Sequence, residues 1–374
     1  MFSLEFCICC RATSTPPTVD VNAGPLGEVS VGGLLSVNGR AQSNRYDASG
    51  PAGKYFSADV TDGLVTVAKT HGLLQFYLEA GAYNFYGIGQ PASSTGTTIS
   101  NTFGPLPIAY VQITPDKNFN IQIGKLAAIT GITPLTDLIT SSYNIQFGLD
   151  GWQQQTISRG IQMNYSRGPF SASVAWTDGY YSKRFNWVVG QLTYAPSAVS
   201  TIIVQGGGNA GHTDYSGPLD NSDFYLLGYN YSGSALNLFA YLQYQRLTNG
   251  AQLGNPGGDG NQYGASIDAN YAFTPNYSIS ARLDYMAYSD AAPVATPAFY
   301  NDAGTVLQGN EMGYGPGSRA VGLTLTPIYQ VKHWFIEGEL SYVHAYHIAP
   351  GEAFGQNGNQ PNQFVAMINT GFFL

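Results

Sequence analysis

The sequence predicts an all-β protein: a transmembrane antiparallel β-barrel of about sixteen strands, with short turns at one end and long loops at the other. Three observations predict it. Apolar and polar residues alternate along many short segments. The connections between those segments alternate strictly between short and long. Aromatic side chains gather beside the short connections. Tyr277 to Tyr288, YSISARLDYMAY, shows the first most clearly. Tyr277, Ile279, Ala281, Leu283, Tyr285 and Ala287 share one phase, while Ser278, Ser280, Arg282 and Asp284 share the other. Successive strand side chains point to opposite faces, so one face is apolar and the other charged.

Taken along the chain, the candidate strands are 28–38, 62–69, 72–84, 107–114, 118–126, 157–166, 169–177, 185–194, 199–209, 222–231, 235–247, 260–272, 276–288, 318–328, 331–345 and 363–374. Residues 199–209 and 222–231 alternate weakly and are assigned mainly from the turns around them. The short connections are Thr70–His71, Pro115 to Lys117, Arg167–Gly168, Ala195 to Ala198, Ser232 to Ser234, Phe273 to Pro275 and Tyr329–Gln330. Long ones span about 39–61, 85–106, 127–156, 178–184, 210–221, 248–259, 289–317 and 346–362. An even strand number with this alternation is the outer-membrane barrel pattern, with both termini on the periplasmic side.

Composition agrees. Only 10% of the 374 residues are charged, whereas about 25% is usual for a soluble domain. No apolar run reaches about eighteen residues, which excludes a transmembrane helix and leaves a closed barrel as the way to satisfy every backbone hydrogen bond in lipid. A net charge of −8 argues against nucleic acid as a partner. Cys7, Cys9 and Cys10 crowd into the first eleven residues at a spacing that fits no zinc or lipidation pattern. Residues 1–27 therefore read as a disordered, atypical or residual leader, with Glu5 where a secretory signal carries positive charge. Residues 28–374 read as one barrel with no second domain.

Near the short turns lie Phe119, Tyr165, Phe170, Tyr194, Tyr231, Tyr271, Tyr277, Tyr329 and Trp334. Amphipathic rings collect where hydrocarbon meets headgroup, so these mark one membrane interface. In the phase that sends Leu283, Ile267, Leu340 and Tyr342 to lipid, Glu79, Asp268, Arg282, Asp284, Glu337 and Glu339 face the interior. Exposing those six to lipid instead would cost on the order of 10 kcal/mol, which is comparable with a whole domain's stability. Lys125, Arg159 and Arg246 fall on the outward phase near strand ends, where they either reach headgroups or turn inward at a bulge.

The stretch FNIQIGKLAAITG (Phe119 to Gly131) ends a strand in Gly-Lys and leads into a long loop. GWQQQTISRGIQMNYSRGPFSASVAWTDGYYSKRFNWVVGQLTY (Gly151 to Tyr194) follows, with its Ser-Arg-Gly strand, tight turn and Trp-Thr-Asp-Gly-Tyr strand end. These segments resemble the OmpL-like family of outer-membrane porins. The resemblance implies a Gram-negative outer membrane and passive solute passage, and it brings no catalytic residues. The last strand, QFVAMINTGFFL, is similar to the terminal strand that barrel-assembly machinery reads.

A barrel of about sixteen strands is wide enough for an aqueous channel. Passive diffusion of small hydrophilic solutes is the expected function, and width is then its controlling variable. Segment 127–156, with Asp137, Tyr143 and Asp150, either enters the lumen as a constriction loop or forms an extracellular flap. Five acids against one arginine on the wall favour mild cation preference, unless Arg282 pairs locally with Asp284 or Asp268 and the group only keeps the wall wet. The rival function is a non-conducting adhesin or structural barrel that acts through loops such as 289–317. Association of three barrels stays open.

An enzyme is not expected. His71, His212, His333, His344 and His347 lie in loops, turns or at strand rims. The HAYH pair points to opposite faces of a strand, which disfavours a shared metal. No GxSxG elbow occurs. Gly206 to Gly208 lack the Lys and helix of a phosphate loop and read instead as relief of curvature at a strand end. No metal or cofactor is expected.

Overall fold

The computed structural model describes residues 18–48, 50–130, 143–210, 222–247, 260–289, 298–300, 306–308 and 313–373. Sixteen strands make the wall: β1 (Glu28–Gln42), β2 (Phe56–Lys69), β3 (Leu74–Ala82), β4 (Ile108–Asp116), β5 (Phe119–Ala127), β6 (Ile157–Arg167), β7 (Phe170–Thr177), β8 (Trp187–Ser197), β9 (Ser200–Asn209), β10 (Ser222–Ser232), β11 (Leu236–Leu247), β12 (Gly260–Thr274), β13 (Tyr277–Tyr288), β14 (Arg319–Val331), β15 (Trp334–Tyr346) and β16 (Asn362–Phe373). Each pairs antiparallel with the next, and β1 returns to β16, from Leu34 opposite Phe373 to Gln42 opposite Val365. Closure leaves no edge to expose in lipid.

Burial alternates as the sequence demands. Along β13, Leu283 is 51% exposed on the outside while its neighbours Arg282 and Asp284 are 5% and 1% exposed within. On β12, Ile267 is exposed outside and Asp268 is buried inside. The short turns keep their aromatic ring: Phe170 stacks on Tyr194 at 4.9 Å, Phe273 on Tyr277 at 5.5 Å, and Tyr329 meets Trp334 edge-on at 6.1 Å. At the tight Arg167–Phe170 connection Gly168 takes φ +60, which a glycine adopts without cost.

Three departures from expectation have physical reasons. First, β1 reaches Gln42, paired on both sides, and β2 starts at Phe56; the start of β2 was hidden because a bulge sets Ser36 opposite Asp62 and Val37 opposite Val60. Thr61 and Asp62 both point inward there, so the inward phase changes parity and plain alternation loses the strand before residue 62. Second, β10 alternates weakly because both its faces are apolar. Phe224 and Leu226 pack inside against Trp187, Val189 and Phe239, while Tyr225 and Leu227 meet lipid. Third, the disorder expected for residues 1–27 does not hold for 18–27. Val19–Asn22 pairs with Val31 to Glu28 and extends the sheet beyond β1.

Gly206 to Gly208 lie against close neighbours. A Cβ at Gly207 would lie 2.7 Å from the Val189 side chain, and one at Gly206 would lie 3.4 Å from the ring of Tyr225.

Candidate functional site

The interior-phase residues of β12 to β15 form one polar belt. Register places Asp268 opposite Arg282, Ser266 opposite Asp284, and Thr324 opposite Arg282. Arg282 Nε donates to Asp284 Oδ2 at 2.9 Å, so this arginine pairs with its own strand neighbour. Asp268 accepts from Ser280 Oγ at 2.7 Å, and Asp284 from Ser266 Oγ at 2.9 Å. Glu337 stands on the same wall, with Asn369 donating to it at 3.4 Å. Glu79 is buried four strands further round, on β3, where Tyr77 Oη donates to it at 3.0 Å.

The segment after β5 comes back into the barrel and lands on this belt. Asn144 Nδ2 donates to Asp268 Oδ2 at 2.7 Å, and Asn144 Oδ1 accepts from Thr326 at 2.8 Å. Glu339 Oε2 accepts the backbone N–H of Ile145 at 2.6 Å and of Gln146 at 3.3 Å. Arg282 Nη1 donates to the Gln146 carbonyl at 2.7 Å, and Ser341 Oγ to Gln146 Oε1 at 2.7 Å. Charge-assisted bonds of this kind, out of water, are the strong ones. Asp268, Arg282 and Glu339 therefore act as anchors for a loop that crosses the lumen.

Tyr143 and Asp150 belong to the same crossing. Tyr143 is buried against Phe239, with ring centroids 6.2 Å apart. Asp150 accepts from Tyr241 Oη at 2.7 Å. Burial first, and the nearby charge of Asp284 second, push its carboxyl up to about 7. Asp137 lies outside the described residues.

A second inward loop was not foreseen from the sequence. The connection between β3 and β4 carries a short helix, α1 (Thr95–Asn101), capped by Ser94, and sends Tyr86–Gly87 alongside Gln146–Phe147 in a parallel pairing. Tyr86 Oη accepts from Asn38 at 2.7 Å and from Asn84 at 2.9 Å, and Thr95 N donates to Asp59 at 2.8 Å. The available signal was the apolar run Phe85 to Ile88 inside a long connection, since a loop exposed to water seldom carries one. Above this pairing Tyr46, Ile88, Leu149, Tyr314 and Phe354 pack as an apolar cluster at the long-loop mouth.

The wall from β3 to β9 has a different character. Uncharged amides link across it: Gln112 donates to Gln75 at 2.9 Å, Gln122 to Gln112 at 2.8 Å, Asn164 to Asn120 at 2.8 Å, and Gln205 to Gln191 at 2.8 Å. Gln112, Gln122, Asn164 and Gln191 are half-buried, in contrast to the sealed belt opposite. Among the described residues no group of His, Cys, Asp and Glu is arranged to hold a metal ion.

Comparison with known proteins agrees with this geometry. Residues 28–374 match the family described as "Putative beta-barrel porin-2, OmpL-like". No curated protein matches the chain. Its fold is similar to the anion-selective porin from Comamonas acidovorans, at 13% identity and TM-score 0.59, over 92% of this chain and 99% of that one. It is also similar to outer-membrane expressed OmpT of Vibrio cholerae (11%, TM-score 0.57, 94% and 99%) and to the outer membrane channel DcaP of Acinetobacter baumannii (13%, TM-score 0.55, 92% and 97%). The chain belongs to the OmpL-like β-barrel porin-2 family and is a porin of the bacterial outer membrane.

Proposed function

We propose that small hydrophilic solutes diffuse passively along the β3 to β9 side of the lumen, past a constriction made by residues 143–155, with mild preference for cations. The supporting observation is the asymmetry of the interior: the crossing loop is bonded to β11–β15, while half-buried amides line the wall opposite. Asp62 adds to the inward acids predicted from sequence, and Arg40 adds a second inward cation. The lumen field stays acidic, which favours cations at a narrow point. The reading includes no catalytic step. It includes lipid around the barrel, recognition of the terminal strand by assembly machinery, and a homotrimer, which OmpT of Vibrio cholerae adopts in one of its forms.

Planar-bilayer recording tests the channel. Stepwise ohmic conductance is expected, and Asp284→Asn with Glu337→Gln should lower cation-over-anion permeability. An unchanged reversal potential would remove these two acids from the account. The apolar cluster of Tyr46, Ile88, Leu149, Tyr314 and Phe354 favours a second reading, a plugged barrel acting through its loops. Folded protein that never conducts would select that reading. Light scattering in detergent, giving the protein mass per particle, tests the trimer.

A further inference from the structure

The outer wall carries a site that solute passage does not use. A groove of about 510 Å³ lies on the lipid-facing side of β4 to β7, near the long-loop end. Register explains its build. Val111, Ile123, Ile161 and Trp176 stand opposite one another on four successive strands, all outward and all exposed. Two residues nearer the long loops, Ala109, Lys125 and Arg159 form the next outward row. Between these rows Gly124 and Gly160 pair with each other, and Phe185 from the following loop closes the side. A charged row thus sits two residues, about 7 Å, above an apolar row.

The charge around this groove runs against that of the whole chain. The protein has net charge −8 and fifteen Lys and Arg, yet Lys125 and Arg159 line this groove, and Lys183 and Arg184 stand on the same loop as Phe185, which closes its side, with Asp178 at the start of that loop. Arg159 is held by Asp178 at 2.6 Å and lies 3.8 Å from the Tyr181 ring centroid, and Lys125 Nζ donates to the Phe103 and Leu106 carbonyls at 2.7 Å each. These contacts preorganise the row, while Lys183, Arg184 and Phe185 are exposed. Head-group charge above and apolar side chains below match one amphiphile.

We propose that this groove binds an outer-leaflet acyl lipid whose phosphate carries net negative charge. One acyl chain lies against Ile123, Ile161, Trp176 and Phe185, and the phosphate sits among the four cations. The site does not require the lumen to conduct. Its test uses Trp176 fluorescence in phosphatidylcholine vesicles holding a minor fraction of brominated phosphatidic acid, with brominated phosphatidylcholine as the reference and Trp176→Phe assigning the signal. Quenching by the anionic lipid should exceed random mixing, and Lys183→Gln with Arg184→Gln should reduce the preference about fivefold for each cation removed. Equal quenching by both brominated lipids in the native chain overturns the proposal. So does protection of Trp176 from both, which would mean that a second copy of the chain covers the groove. If the double variant keeps the full preference, phosphate recognition by this loop is refuted.

Discussion

Arg282 is the side chain on which most of the interior converges. It is bonded to Asp284 within its own strand, to Thr324 on the next, and to the Gln146 carbonyl of the crossing loop. Removing it leaves Asp284 buried without its cation, a loss of about 3 kcal/mol for a buried pair. Arg282→Met should therefore lower the urea midpoint in liposomes; an unchanged midpoint would show that lumen water replaces the guanidinium. Asp150 gives a pH dependence of known sign. Burial pushes its carboxyl up to about 7, above the ordinary range it has when unfolded, so the native state binds the extra proton. Stability should fall as pH rises from the ordinary carboxylate range toward about 7 and level off above it. Asp150→Asn should flatten that slope in unfolding curves measured across this range. The charge phase was readable from sequence because Arg282 and Asp284 share the parity opposite Leu283. Their bonding to Gln146 was not, because the two segments lie far apart in the chain and only closure of the sheet brings them together.

At the level of elements, the crossing loop is fastened through its backbone as well as through side chains. Glu339 accepts two successive N–H groups, of Ile145 and Gln146, and the neighbouring pairing with Tyr86–Gly87 ties the two inward loops together. Glu339→Ala removes the one oxygen that accepts both bonds, and the freed segment should widen and destabilise the constriction. Larger single-channel conductance with more open-state noise is the expected result, and a conductance identical to the native chain would assign the loop's position to its apolar packing instead. Strand existence was legible nearly throughout, since period two and the turn residues agree. The legibility failed where one of those signals changed meaning: at the Thr61–Asp62 bulge, which reverses parity, and in β10, where Phe224 inside and Tyr225 outside are both apolar. The inward course of the β3–β4 connection was hidden for another reason. Its partners Asn38 and Asp59 come from a different hairpin, and nothing local in Tyr86 or Thr95 names them.

For the whole molecule the governing fact is that the two faces of the wall meet different solvents. Leu283 is exposed near the middle of β13 on the outer face, and Arg282 beside it is buried within. Leu283→Arg should cost about 2–4 kcal/mol, the penalty for a cation at mid-bilayer. Unfolding from a lipid bilayer measures it, and a negligible loss would mean that this face is not in hydrocarbon. Closure adds a second constraint. On β16 a Cβ at Gly371 would lie 2.8 Å from Phe335 Cζ and from Ser36 Cβ, so β15, β16 and β1 can meet there only around a glycine.

Alternation and turn length were enough, without any coordinates, to determine sixteen strands, the lipid-facing phase and the end that carries the long loops. Both are local properties, set by a side-chain period of two and by how few residues a tight turn needs. What fills the cylinder was decided only in three dimensions. The loop anchors, the second inward loop and the amide-lined wall opposite depend on side chains that are distant in sequence and meet only after the ends of the sheet join, and a period along one strand holds no information about its partner across the lumen.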